Sequence, residues 1–357
     1  MNRVTLAVAG ARKTQSIVDA CAGAPAGRRI LTLTYTLTGQ AELEGRLQRA
    51  CTAGQAPEVL GWYAFLMRHW IRPYLPLLFP GHKLRGLNFE GEPARGRFAT
   101  GAPRYLDSDD NAYKLYLSKL AHEVSKISGG AVIDRLSRLY DEIYIDEVQD
   151  LTGCDLHIVQ ALLESDIDVY MVGDIRQSVY DTNARDQNLR QFRGLKMVDW
   201  FEQQRDAGRL HIDHLSTTWR SNQIIATFSD TIIAKYGFEP TVSMHESEAD
   251  HTGVFAVRFE DVGAYVAAFD PMCIRDTVKT AADVDLPFMN FGKVKGLTTD
   301  HVMIFPPSTV AKFIAQGTSL ADGTACGLYV AVTRARHSVA FVLADVEASG
   351  LEIWKPS

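Results

Sequence analysis

Cysteine is scarce in this 357-residue chain: there are five, Cys21, Cys51, Cys154, Cys273 and Cys326, widely spaced and without a CxxC pair. An odd, scattered set argues against a disulfide framework, a structural zinc or an iron–sulfur cluster, and reads as free thiols in a reducing cytosol. A basic excess is also absent, since 37 Lys and Arg face 43 Asp and Glu for a net charge of −6. Any nucleic-acid contact must then come from a local patch. No apolar run reaches the ~18–20 residues of a membrane span. The most apolar stretch, WYAFLMRHWIRPYLPLLF, is broken by Arg68, His69 and Arg72. VTLAVAGA imitates a short leader but runs straight into Arg12 and Lys13, so the expectation is a cytoplasmic chain with no membrane partner. Repeats and low-complexity tracts are missing as well.

What is present alternates. RVTLAVAG, RRILTLTYT, EIYIDE and DVYMVGD are short, mostly apolar runs, and KTQSIVDACAG and GQAELEGRLQRACTAG follow the first two with helical spacing. Such runs suit strands covered on both faces of a parallel sheet, joined by helices. GVFAVRF, HVMIFP and SVAFVLA repeat the pattern further on. The reading is two α/β lobes, 1–190 and 191–357. A Pro-, Gly- and Arg-rich irregular insertion covers about 72–112, and a polar joining segment covers 183–210.

Six stretches carry chemistry. A phosphate loop reads GxxxxGK[ST] between a strand and a helix. Here Ala7-Val8-Ala9-Gly10-Ala11-Arg12-Lys13-Thr14 keeps Gly10 and the Lys-Thr pair, while Ala7 and Arg12 replace glycines. In YDEIYIDEVQD, Asp146 and Glu147 leave the C-terminal end of an apolar strand, where open α/β sheets place their sites. Two acids there are costly unless they hold a metal or move a proton. VYMVGDIRQSVY delivers Gln177 the same way, and an amide so placed can sense a phosphate or orient a water. STTWRSN, NFGKVKGLTTDHVMIF and LYVAVTRARHSVAFVL follow, with Arg220, a Lys-Gly pair and Arg334. An arginine facing a phosphate loop would stabilise transition-state charge.

In this order the stretches resemble the superfamily 1 DNA helicases of the UvrD/Rep type. IDEVQD resembles that family's DExxQD, VGDIRQSVY its GDxxQSIY, WRSN its YRS, KVKGL its AKGLE and YVAVTRAR its YVAxTRAK. LTYTLTGQAELEGRL and GWYAFLMR fall where single-strand-contacting segments are expected. The resemblance runs from Val4 to about Leu343.

It implies an α/β fold of two RecA-like P-loop NTPase lobes, each a mainly parallel sheet flanked by helices, with ATP between them. Gly10, Ala11, Arg12, Lys13, Thr14 and Gln15 would line the nucleotide together with Trp219 and Gly296. Lys13 would meet the β/γ-phosphates, and Thr14 with Asp146 would hold Mg²⁺. Glu147 would activate the attacking water. Gln177, Arg220 and Arg334 would touch the γ-phosphate, and Trp219 would stack on adenine. Tyr35, Thr36, Trp62, Tyr63 and Tyr180 would meet single-stranded DNA, since every base offers a π-face; core packing is the competing reading of each ring.

The implied activity is ATP-dependent single-stranded DNA translocation or unwinding, 3′ to 5′. The alternative is an ATP-operated partner of a nuclease subunit in an antiphage system. Departures bear on this. Only six residues precede Ala7, so no adenine-reading segment is expected there. Thr298 replaces a family Glu, Thr182 stands near an expected base-stacking Trp, and there is little room for accessory subdomains.

Overall fold

The computed structural model describes residues 1–52, 56–180, 182, 186–246 and 249–356. It divides into two compact units. One comprises Met1–Leu6, Lys13–Gly173 and Asp181–Asp213, the other Ala7–Arg12, Asp174–Tyr180 and His214–Ser357. Part of the polar segment read at 183–210, residues 183–185, lies outside the described residues.

The first unit is built on a six-stranded sheet ordered Glu58–Gly61, Ile30–Thr34, Glu142–Ile145, Asp168–Gly173, Arg3–Ala7 and His211–Leu215. Ile30–Thr34 and Glu142–Ile145 pair in parallel, with Leu33 opposite Ile145, and Ile145 in turn lies opposite Met171. All five residues of Ile30–Thr34 are buried, as a strand covered on both faces requires. Helix Lys13–Ala22 buries Ile17, Val18 and Cys21, and helix Leu37–Ala50 buries Leu43 and Leu47. These spacings of three and four residues form one stripe. The stripes meet Ile30, Tyr144 and Val172 in a single core cluster.

The stretch read as an insertion holds only short elements, the helical turns Leu75–Leu78, Gly96–Phe98 and Ala102–Tyr105 and a two-residue parallel pairing of Leu87–Asn88 with Ala112–Tyr113. Asp107 organises its last turn by accepting the backbone N–H groups of Asp109 (3.0 Å) and Asn111 (2.9 Å).

The second unit has its own six-stranded sheet, ordered Met289–Asn290, Met272–Arg275, Thr299–Phe305, Ala335–Val342, Gly253–Val257 and Glu352–Ile353. Its pairings are parallel. Val257, Cys273, Met303, Phe305, Ala340 and Val342 form its core with Val262 and Tyr265. The strand Met272–Arg275 was not legible in the sequence, because MCIR shows neither alternation nor a long apolar run. Helix Asp322–Val332 is enclosed along eight consecutive residues from Ala325. Both units are thus parallel sheets flanked by helices, the α/β class expected. Among the described residues no helix is long and apolar enough to cross a membrane.

Candidate functional site

In the first unit the chemistry gathers at the C-terminal ends of strands. Strand Glu142–Ile145 ends with the Asp146 N–H donating to the Leu33 carbonyl (2.8 Å). The chain then turns sharply, with Glu147 in the left-handed region at φ 56. Asp146 is 6% exposed. Its Oδ2 accepts the Thr14 hydroxyl at 2.8 Å, and its Oδ1 accepts the Glu147 backbone N–H at 2.9 Å. Burial raises the Asp146 pKa above the usual carboxylate range, and the neighbouring Glu147 raises it further. The Thr14 hydrogen bond and the charge of Lys13 pull it back. Gln149 donates its amide N–H to Glu147 Oε2 and so fixes the direction of that carboxylate. Gly173 closes the same corner: a β-carbon there would lie 2.5 Å from Gln149 Oε1 and 2.8 Å from Val148 Cγ1.

Thr14 and Asp146 present hard oxygens only. That donor chemistry suits Mg²⁺, which is held by one or two carboxylates plus water and substrate phosphates rather than by an all-protein cage. Among the described residues no group of three or more His, Cys, Asp or Glu side chains could hold a metal. Lys13 starts helix Lys13–Ala22 and is half-buried. Gln15 turns along that helix, donating to Asp19 (2.8 Å).

In the second unit the loop Ala7–Arg12 is tied to residues 215–219. Val8 N–H donates to the Leu215 carbonyl (3.0 Å), Trp219 N–H to the Gly10 carbonyl (3.1 Å), and the Thr218 hydroxyl to the Ala9 carbonyl (2.7 Å). The Ala9 N–H donates to the Tyr329 hydroxyl (3.2 Å). Gly10 has φ 78, and a β-carbon on it would meet Thr218 Oγ1 at 2.5 Å and Arg220 Cβ at 2.7 Å. Glycine is required there on both counts. Ala11 is buried. Arg12 is exposed, has φ 59, and places its guanidinium carbon 4.1 Å from the centroid of the Trp219 ring.

Strand Asp168–Gly173 leads to Asp174, which is fully buried and accepts the Arg176 backbone N–H at 3.1 Å and the Gln177 amide at 2.6 Å. The Gln177 carbonyl oxygen then accepts Arg334 Nη2 at 3.0 Å. Arg334 is 1% exposed and also donates to the carbonyls of Val330 (2.8 Å) and Leu297 (3.2 Å). Arg220 donates to the Thr333 carbonyl at 3.1 Å. Gly296, at φ 88, lies in the turn before strand Thr299–Phe305.

The aromatic residues separate. Tyr35 and Tyr63 are half-buried, meet edge to face at 5.6 Å, and share a hydroxyl–hydroxyl bond of 3.2 Å. Trp62, beside Tyr63, is 1% exposed, and its indole N–H donates to Asp155 Oδ1 at 2.7 Å. Thr36 caps helix Leu37–Ala50 by accepting the Gly39 N–H. Thr182 is drawn inward, its hydroxyl donating to Asp155 Oδ2 at 2.5 Å, and its carbonyl accepts the Tyr63 hydroxyl at 3.1 Å. Tyr180 is exposed in the second unit; its hydroxyl donates to the Gly292 carbonyl, and Lys295 lies 5.4 Å from its ring centroid.

Three polar residues escaped sequence reasoning. Asp174 was signalled only by the Gly-Asp pair before Gln177. Asp155, inside a helix, and Tyr329, inside an apolar one, gave no local signal.

Residues 79–195 match the model of the UvrD/REP helicase N-terminal domain. Over that third of the chain, which holds IDEVQD and VGDIRQSVY, the sequence is similar to the UvrD/REP helicase N-terminal domain. The chain is similar to arterivirus nonstructural protein 10, a helicase, solved as a complex with DNA: identity is 14%, the TM-score is 0.51, and the match covers 98% of this chain and 63% of that one. A further arterivirus nonstructural protein 10 (helicase) structure gives 13% identity, a TM-score of 0.50, and coverage of 98% and 61%. At these identities the likeness is one of fold, and the two units are accordingly RecA-like. The chain spans less than two thirds of the length of these helicases. No curated protein sequence matches it.

Proposed function

We propose that the chain is an ATP-driven translocase on single-stranded DNA, able to open duplexes as it moves 3′ to 5′. The observation that carries this reading is the Thr14 hydroxyl on the buried Asp146 carboxylate at 2.8 Å. A hydroxyl following a lysine at a helix start, joined to an acid at a strand end, is the arrangement that nucleotide hydrolysis requires.

In this reading Lys13 contacts the β/γ-phosphates, and Thr14 with Asp146 holds Mg²⁺, which when bound offsets charge on the phosphate oxygens. Glu147, aimed by Gln149, accepts the proton of the attacking water. Gln177, Arg220 and Arg334 answer the charge that develops on the transferred phosphoryl group. Trp219 is the base platform: an indole 43% exposed, whose backbone N–H is bonded to the Gly10 carbonyl of the phosphate loop at 3.1 Å. Tyr35 and Tyr63 in the first unit, and Tyr180 in the second, offer aromatic faces to DNA bases. Trp62 serves the core of the first unit.

The test is ATP hydrolysis by the purified chain with and without single-stranded DNA, beside Glu147→Gln. DNA-stimulated hydrolysis that Glu147→Gln abolishes is expected. No hydrolysis, or hydrolysis indifferent to Glu147→Gln, would sink the reading. Displacement from a 3′-tailed but not a 5′-tailed duplex gives the direction. Hydrolysis without displacement would point instead to a nucleotide-operated partner of another enzyme.

A further inference from the structure

Arg12 occupies a loop position that calls for glycine. Its φ of 59 lies in the left-handed region, which residues bearing a β-carbon rarely adopt. The contact that rewards this conformation is the guanidinium over the Trp219 ring, 4.1 Å from its centroid. The pair is held in register from below. Trp219 N–H is bonded to the Gly10 carbonyl, Thr218 is bonded to Ala9, and Gly10 has no free space beneath it. Arg12 is therefore placed on Trp219 by the loop's own backbone.

A ring face covered by a guanidinium cannot stack a base at the same time. Resting on the reading of Trp219 as base platform, we propose that Arg12 is a specificity-determining cap. It holds the indole face until a nucleobase displaces it, so binding is carried mainly by the polyphosphate. A cation over an exposed indole is a weak contact, of the same order as base stacking on an aromatic ring. A base can therefore take its place, but gains less than it would on an open platform.

The experiment measures the affinity of ATP and of base-free tripolyphosphate, each with Mg²⁺, by calorimetry. The proteins are the full chain, Arg12→Gly, Arg12→Ala, Trp219→Ala and Arg12→Gly/Trp219→Ala. Glycine is at ease at this φ, so Arg12→Gly preserves the loop. Removing the cap is expected to tighten ATP about two- to fivefold and to leave tripolyphosphate unchanged. In the Trp219→Ala background the same substitution should change neither ligand. If Arg12→Gly and Arg12→Ala weaken ATP and tripolyphosphate together, Arg12 is a phosphate ligand and the cap is wrong. Unchanged ATP affinity also overturns it. If the unaltered chain binds neither ligand, the nucleotide reading itself falls.

Discussion

Gln177 accepts a hydrogen bond from Arg334 at 3.0 Å while its own amide donates to Asp174 at 2.6 Å. The two ends of one amide are thereby committed in opposite senses, and flipping it would break both bonds. Gln177 and Arg334 should act as a unit. Arg334→Ala is expected to lower kcat for ATP hydrolysis by about 10³-fold, Gln177→Ala to lower it as well, and the double variant to add little beyond Arg334→Ala. Steady-state kinetics checks this. Fully additive losses would separate the two residues.

Trp62 and Tyr63 should fail in different ways. Trp62→Ala empties an enclosed site and strips Asp155 of a donor, at a cost of about 3–5 kcal/mol in stability. Tyr63→Ala, which loses the ring contact with Tyr35 and the bond to the Thr182 carbonyl, should cost clearly less stability than Trp62→Ala but weaken single-stranded DNA binding about tenfold. Thermal melts beside fluorescence-anisotropy titrations distinguish them.

Acid should destabilise the fold through its histidines. Burial lowers the pKa of His69, His122 and His251 to about 4 each. The unfolded chain, titrating near 6.5, takes up protons first as pH falls. Stability that is complete above about pH 6.5 is then lost toward pH 4. Asp155, raised by burial to about 6, works the opposite way between about 6 and 4, and Asp146 shares its direction, but the histidines outnumber them. A lower melting temperature at pH 5 than at pH 7.5 is expected. His251 stacks on Phe255 at 4.3 Å and Phe269 at 3.9 Å and is bonded to the Tyr265 hydroxyl at 2.8 Å, so His251→Phe keeps the stacking, loses that bond at every pH, and should shrink the difference. An unchanged difference would refute the assignment to His251.

Gly10→Ala should abolish nucleotide binding without unfolding either sheet. Its β-carbon would meet Thr218 and Arg220, and the φ of 78 would remain strained even beside Thr218→Ala. Circular dichroism and calorimetry on both variants test this. Restored binding in the pair would show that crowding alone matters.

Much of this architecture was legible. EIYIDE and DVYMVGD announce strands because their centres, Ile143-Tyr144-Ile145 and Val169-Tyr170-Met171-Val172, are unbroken apolar runs, and the acids and Gln177 follow directly. Other features depend on partners far along the chain. Trp62 and Tyr63 are neighbours in one helical turn, where successive side chains point about 100° apart. No local pattern says which of them faces inward. Arg12 read as an intruder in a phosphate loop, and its indole partner stands more than half the chain away. Asp155 holds Trp62 and Thr182 from a helix whose sequence, CDLHIVQALL, reads as ordinary packing.

The missing side chain at Gly173 has a bearing on how this protein can change over generations. A β-carbon there would crowd Gln149 Oε1 and Val148 Cγ1, so a larger residue at 173 must displace the amide that aims Glu147. Substitutions at 149 and 173 are thus epistatic. A library varying both should return survivors along one diagonal, with glycine at 173 wherever glutamine stays at 149.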